Sequence, residues 1–390
     1  RKACRPGALG GAEALDKAEF WLGRSLSSSA TAGEAMISEG VLSRDALELE
    51  RRRRGSLLTD WDGLVRPGQA VEALKRRYGG LPSPTGFEAY ASNPVHFLYS
   101  HLMRLEVLEE PEEQDVPESR ILGTMAHEIL ERFLRGSRGG SFPAFTDDRT
   151  AVLKKHTDDV FDEYMRENNY RNPMEYRLLK QLVSEALLEW LRMVQEDAQE
   201  YKPDRFELSF GLDGEPPVTL QLDGEDLQLR GRIDRVDVSI GGKDKTLRII
   251  DYKSGRCYYR KADLEERFNY GRNLQLGCYA VAAAGRIGKP VAEAGYTYLD
   301  VGHAGSKAER VLIEWDHERR RELMEVLSGL LGCIRRGFFP PGDGRLWTED
   351  EKVLCALGRR RMNVTADDPG WEPFRDATHH PELPEGGDDK

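Results

Sequence analysis

The sequence predicts an α/β fold, a mixed central sheet flanked by helices with a helical extension ahead of it. Three observations carry this. Apolar-periodic helical stretches at roughly 120–135, 150–167 and 175–197 run into strand signals near 205–211, 217–223, 227–240 and 246–253. A helix over 262–284, strands near 294–300 and 310–315, and a helix over 317–336 follow. Between them, Gly231 to Gly255 reads as a hairpin turning at Gly241-Gly242-Lys243-Asp244.

In chain order, residues 1–80 are charged and irregularly helical, and Arg51–Arg54 is a short basic run, either a solvated helix end or a phosphate contact. Leu58 to Gly63 and Pro67-Gly68 read as an exit loop from a preceding domain. Ser83-Pro84-Thr85 can cap the helix that holds Phe87, Tyr90 and Phe97. Glu109 to Glu118 is an acidic connector, and Ile121, Met125, Ile129 and Phe133 then recur every four residues as an amphipathic stripe. The 175–197 stretch is rich in leucine, with Leu178, Leu179, Leu182, Leu187, Leu188 and Leu191. Beyond Pro340 the chain is polar, and Pro381 to Lys390 reads as disordered.

The hairpin is the informative element. A symmetric turn sets Asp234 opposite Asp251, Val236 opposite Ile249 and Val238 opposite Leu247. With a side-chain period of two, these residues and Lys253 share one face, apolar near the turn and bearing Asp, Asp and Lys at its far end. Two carboxylates abreast repel unless a cation lies between them, and a hard divalent ion such as Mg²⁺ or Mn²⁺ suits oxygen ligands. Ile249 and Ile250 run straight into Asp251, so the charges end a core strand, which weakens the plain reading of a solvated surface hairpin.

Asp234 followed by Asp251-x-Lys253 resembles the signature of PD-(D/E)XK nucleases of the RecB and AddB type, and three more segments match in order. Gly123-Thr-Met-Ala-His127-Glu-Ile-Leu-Glu131 resembles the upstream helix, Phe206 to Gly211 the strand before the Asp motif, and Gln275-Leu-Gly-Cys-Tyr279 the downstream helix. The resemblance spans roughly residues 83 to 340 and implies a restriction-endonuclease-like core. It implies that His127, Asp234, Asp251 and the main-chain carbonyl of Tyr252 hold Mg²⁺ or Mn²⁺. It also implies catalytic roles for Asp234, Asp251, Lys253, Gln275 and Tyr279, the last two contacting the DNA strand. Without it, His127 lies off the apolar stripe and reads as a packed or surface residue. Glu131 stands where a zinc-protease helix needs a second histidine, so that reading fails. Gln275 and Tyr279, four apart, share a helix face, either as a polar pair over the sheet or as part of the site. Glu207 either shapes the site or is simply a polar strand position. Lys253, with a reference pKa of about 10.4, acts as an electrostatic clamp unless that value is strongly lowered.

Composition is consistent with this reading. In 390 residues, 39% hydrophobic and 32% charged, there is room for two or three domains. No apolar run approaches a membrane span, and the start, Arg-Lys-Ala-Cys-Arg, lacks a signal-peptide core and an initiator methionine, as in a piece of something longer. The net charge of −11 argues against polyanion binding by the whole surface but leaves a local basic cleft open. Five scattered cysteines without a Cys-x-x-Cys pair fit a reducing cytoplasm. Many AddB-type domains carry an iron–sulfur cluster held by one cysteine before the core, ahead of a proline, and three after it. Here Asn93 precedes Pro94, and after the core only Cys355 remains, so no iron–sulfur cluster is expected. Phe87, Tyr90, Phe97 and Leu98 are then expected to pack on Phe338, Phe339, Leu346 and Trp347 in its place. There is no Walker loop and no repeat.

The resemblance divides the chain into the tail of a helicase-like domain with its linker (1–80), a nuclease domain (81–345) and a polar, partly disordered tail (346–390). It implies a metal-dependent DNA nuclease, exonuclease before endonuclease, processing DNA ends in double-strand-break repair and recombination. DNA and an AddA-like helicase are the implied partners, with no membrane. The alternatives are a catalytically silent DNA-binding or scaffolding domain and a stand-alone exonuclease of CRISPR-adaptation type.

Overall fold

The structure is a computed structural model that describes residues 45, 52, 55–59, 62–78, 82–105, 117–136, 138, 140, 142, 146–168, 172–242, 244–257, 259–305, 307–340 and 368–378. Most of residues 1–54, most of the acidic connector, Leu346, Trp347, Cys355 and Pro381–Lys390 lie outside these.

Five strands form the central sheet in the order β1-β4-β5-β6-β7. They are β1 (Tyr201–Phe210), β4 (Gly231–Ser239), β5 (Leu247–Lys253), β6 (Val291–Tyr298) and β7 (Glu309–Glu314). Only the β5–β6 pair is parallel, so the sheet is mixed as expected. A separate hairpin joins β2 (Val218–Leu222) to β3 (Glu225–Leu229). The β4–β5 ladder pairs Val236 with Ile249 and Val238 with Leu247, the register expected from the turn.

Alternation along β5 divides the interior into two cores. Leu247 and Ile249 face helices α1 (Pro67–Tyr78), α2 (Pro84–Ser92), α7 (Gln275–Ile287) and α8 (His317–Arg335). Ile250 and Tyr252 face α3 (Ser119–Arg135), α4 (Asp147–Asn168) and α5 (Pro173–Met193). Met125, Ile129 and Phe133 of the α3 stripe are buried there, against Trp190 and Leu187 of α5. No helix among the described residues is long and apolar enough to cross a membrane.

Two expected elements break. The single strand over 227–240 is β3 and β4, parted at Arg230, whose N–H donates to the Pro82 carbonyl at 3.1 Å instead of to a strand. At the parting, a Cβ on Gly231 would meet Phe210 Cζ at 2.6 Å, so only glycine lets the chain pass. The single helix over 262–284 is instead α6 (Lys261–Glu265), a left-handed turn and then α7. Phe268, Asn269 and Tyr270 have φ of 54°, 51° and 56°. Left-handed backbone costs non-glycine residues about 1–2 kcal/mol each. Burial of Phe268 against Trp315, ring centroids 6.4 Å apart, offsets part of this.

The two ends of the domain meet. Phe97 stacks on Phe339 at 6.3 Å, Tyr90 meets Phe339 edge-on at 5.8 Å, and the Tyr90 hydroxyl donates to the Phe338 carbonyl at 2.5 Å. This is the packing expected of those residues; the Leu346 and Trp347 half of the expectation falls outside the described residues. Asn93 accepts from the His96 N–H at 3.2 Å and caps the next helical turn. The polar tail contributes more than the sequence promises: α9 (Glu372–Thr378) buries Phe374 beside Trp371, and both rings pack on Phe338. Asp368 also accepts from the Leu58 N–H at 2.7 Å, tying the tail to the N-terminal side.

On the α3–α5 face lies a buried charge network the sequence reading missed. Arg235 Nε is 3.0 Å from Asp237 Oδ1, Arg248 bonds Asp237 at 3.2 Å and Asp197 at 2.8 Å, and Arg310 also bonds Asp197. Burial alone would raise the Asp197 carboxyl, yet Arg248 and Arg310 hold it below the usual carboxylate range. Arg235 further donates to the Tyr252 hydroxyl at 2.7 Å and lies over the Phe142 ring. The residue after Asp251 is thereby anchored from behind the sheet.

Candidate active site

The β4–β5 ladder ends at Arg235 and Ile250, and Asp234 and Asp251 are the next residues along. Beyond the ladder, the Asp234 carboxylate accepts the Tyr252 N–H at 2.7 Å. Asp234 thus closes the strand end with its side chain where a carbonyl would otherwise serve. Asp251 sits deeper, 2% exposed, with Oδ2 2.7 Å from Lys253 Nζ and no directed hydrogen bond to that oxygen from any described residue.

Helix α3 brings in His127. It can approach because Gly123, one turn earlier, has no Cβ; one there would lie 2.9 Å from Ser254 Oγ. His127 Nδ1 lies 3.5 Å from Asp234 Oδ2, and its ring meets the Tyr252 ring edge-on. Strand β1 brings in Glu207. Phe206 pairs with Arg235 and Leu208 with Ile233, so Glu207 falls opposite Asp234, with a left-handed φ of 49°. A non-glycine residue in that conformation carries strain of order 1–3 kcal/mol. Ligand atoms of His127, Glu207 and Asp234 all lie within 4.8 Å of one another.

Burial and mutual repulsion set the electrostatics of this acid cluster. Burial, then the neighbouring Asp251, raises the Asp234 carboxyl well above the carboxylate range. Burial, with Glu131 and Asp251 nearby, pushes Glu207 up to about 7. Burial lowers the His127 imidazole despite the nearby Asp251, which favours the neutral, ligating form. A divalent cation would relieve all three: it favours ionised carboxylates and takes a neutral imidazole. These residues therefore fit a hard divalent ion.

Lys253 is held on two sides. Its ammonium donates to Gln275 Oε1 at 2.8 Å as well as facing Asp251, and it lies over the Tyr296 ring at 4.8 Å. Burial alone would lower it, but Asp251 outweighs that and raises it, so it stays protonated. Gln275 Nε2 in turn donates to the Tyr279 hydroxyl at 2.8 Å, so the two residues do share one helix face. Tyr279 is 6% exposed and packs edge-on against Phe210.

The structure thus brings His127, Asp234, Asp251, Tyr252, Lys253, Gln275 and Tyr279 to one strand end, and adds Glu207, left open by the sequence. It also adds Glu88 of α2, which the sequence reading did not single out. Glu88 Oε1 accepts the Gln275 N–H at 2.7 Å across 187 residues of chain, a separation at which no local pattern could signal it.

A profile of the PD-(D/E)XK nuclease superfamily matches residues 82–356. Among curated relatives, the chain is similar to the B subunit of the ATP-dependent helicase/deoxyribonuclease of Clostridium tetani, 29% identical over 192 residues, 46% of this chain and 16% of the relative. The protein of that name from Acetivibrio thermocellus is 30% identical over 222 residues, 54% of this chain and 19% of the relative. That from Geobacillus thermodenitrificans is 34% identical over 166 residues, 40% of this chain and 14% of the relative. The chain therefore spans less than a fifth of the length of these relatives.

Proposed function

The chain belongs to the PD-(D/E)XK nuclease superfamily, and from that premise we propose that it is a metal-dependent deoxyribonuclease. The observation that carries this reading is the convergence of His127, Glu207 and Asp234 within 4.8 Å, beside Asp251 and a protonated Lys253. Imidazole and carboxylates would hold Mg²⁺ or Mn²⁺, with the Tyr252 carbonyl as a further donor. Bound there, the ion supplies Lewis-acid activation of water and of the phosphodiester. Asp234 and Asp251 orient the site from the ends of adjacent strands. Lys253, fixed by Asp251 and Gln275, places a positive charge where the phosphate gains negative charge, acting as a clamp. Its raised pKa argues against a role as the general base.

The wider role is part of the same proposal. Similarity to the B subunits of ATP-dependent helicase/deoxyribonucleases supports a DNA nuclease of a helicase–nuclease; that it works beside an AddA-like helicase in the cytoplasm, degrading DNA from ends during double-strand-break repair and recombination, is our proposal. The domain division at about residues 80 and 345 belongs to the same proposal. The test is incubation of the purified chain with end-labelled single- and double-stranded DNA. Cleavage in Mg²⁺ that stops in EDTA is the expected result. DNA binding without cleavage would favour a silent scaffolding domain instead.

A further inference from the structure

Three carboxylates surround the reacting centre, and a fourth, Glu88, stands behind it on a helix that supplies none of the others. Its Oε1 accepts the N–H of Gln275, the first residue of α7, at 2.7 Å. The first amides of a helix have no intrahelical acceptor, and Leu274, preceding α7, offers no side-chain cap of its own. Glu88 fills that role from α2. The same Gln275 holds Lys253 Nζ at 2.8 Å and Tyr279 at 2.8 Å through its side chain. Lys253 and Asp251 lie close enough that their charges act on Glu88. The left-handed turn at Phe268–Tyr270 lies between α6 and α7.

We propose that Glu88 is a positioning residue of this centre: as an external cap of α7 it fixes Gln275, and through Gln275 it fixes Lys253 against Asp251. The inference rests on the nuclease reading for its catalytic half and on geometry alone for its structural half. What matters is an acceptor at that point, not a charge. Glutamine at 88 should therefore serve, and an apolar side chain of similar length should not.

The test uses the full chain with Glu88→Gln and Glu88→Met, which keeps volume and removes the acceptor. Amide exchange at Gln275 is followed in EDTA, and kcat and DNA Kd are measured in Mg²⁺. Glu88→Met should lose at least tenfold protection at Gln275 and about 10–100-fold in kcat, with Kd within about twofold, because misplacing a catalytic group costs rate more than binding. Glu88→Gln should keep at least about a third of wild-type kcat and most of the protection. Wild-type exchange and kcat in Glu88→Met would overturn the proposal, as would Glu88→Gln failing as badly as Glu88→Met. If Glu88→Met does not fold, the glutamine variant still decides, since full loss of kcat there refutes an acceptor role. A wild-type chain that cuts no DNA would refute the nuclease reading and the catalytic half with it; the exchange measurement would still decide the capping half.

Discussion

Glu207→Gln should make the metal-free protein more stable, an unusual outcome for a substitution at a candidate active site. The carboxyl is pushed from 4.5 to about 7, chiefly by burial and then by Glu131 and Asp251. Because the folded-state value is raised, this group's contribution is fully present below the unfolded value near 4.5 and is lost as the pH rises through about 7. A shift of that size corresponds to ~3 kcal/mol for a group sealed from water. The side chain is 26% exposed and Arg232 Nη1 lies 3.7 Å away, so ~1–2 kcal/mol is the expected part. Glutamine keeps the shape and carries no charge to bury. Urea unfolding in EDTA should show Glu207→Gln more stable than wild type by ~1–2 kcal/mol at pH 8 and equal to it at pH 4.5. Excess Mg²⁺ should narrow the gap at pH 8, since the cation relieves the wild-type cluster and gains less from the variant. A Glu207→Gln protein less stable than wild type at pH 8 in EDTA would refute the acid-cluster account.

Other outcomes follow from the same geometry. His127→Ala should raise the Mg²⁺ concentration needed for half-maximal cleavage more than it changes DNA affinity, and an unchanged metal titration would return His127 to a packing role. Arg235→Met leaves Asp237 buried and half-paired, so it should cost about 3–5 kcal/mol by chemical denaturation; a loss below 1 kcal/mol would show that the network is dispensable. The purified protein should be colourless, and stoichiometric iron with absorbance near 400 nm would contradict the reading of Asn93.

Much of the site was legible because it is local. The Asp234–Lys253 hairpin declares its register through Val236, Val238, Leu247 and Ile249, and period two then fixes which residues share the reactive face. His127, Gln275 and Tyr279 became legible only through resemblance, since nothing in a helix repeat says which polar residue faces a site. Glu207 could not be settled because its direction depends on one left-handed residue in β1. Arg235 and Asp237 carried a signal that went unread: alternation puts both on the back face of a central strand, where charges must pair. The break in the 262–284 helix had only Asn269 and Gly271 to announce it. The docking of Trp371 and Phe374 depends on partners at Tyr90 and Phe338, far away in the chain. Glu88 is the limiting case: a single helical carboxylate whose meaning lies wholly in tertiary contact.

The central claim is that the Asp234–Asp251–Lys253 strand end hydrolyses DNA with a divalent ion. The most direct measurement is cleavage of end-labelled DNA in Mg²⁺ by wild type, Asp251→Ala and Lys253→Ala purified in parallel, with unfolding curves to confirm that all three fold. Asp251 and Lys253 end strand β5. Asp251→Ala removes one of several repelling carboxylates, whereas Lys253→Ala leaves the buried Asp251 without its ammonium and should cost stability, so cleavage is compared under conditions where the unfolding curves show each variant folded. The account predicts cutting by wild type alone, at a rate at least about a hundredfold above either variant. Wild-type rates in a folded Asp251→Ala or Lys253→Ala protein would contradict it.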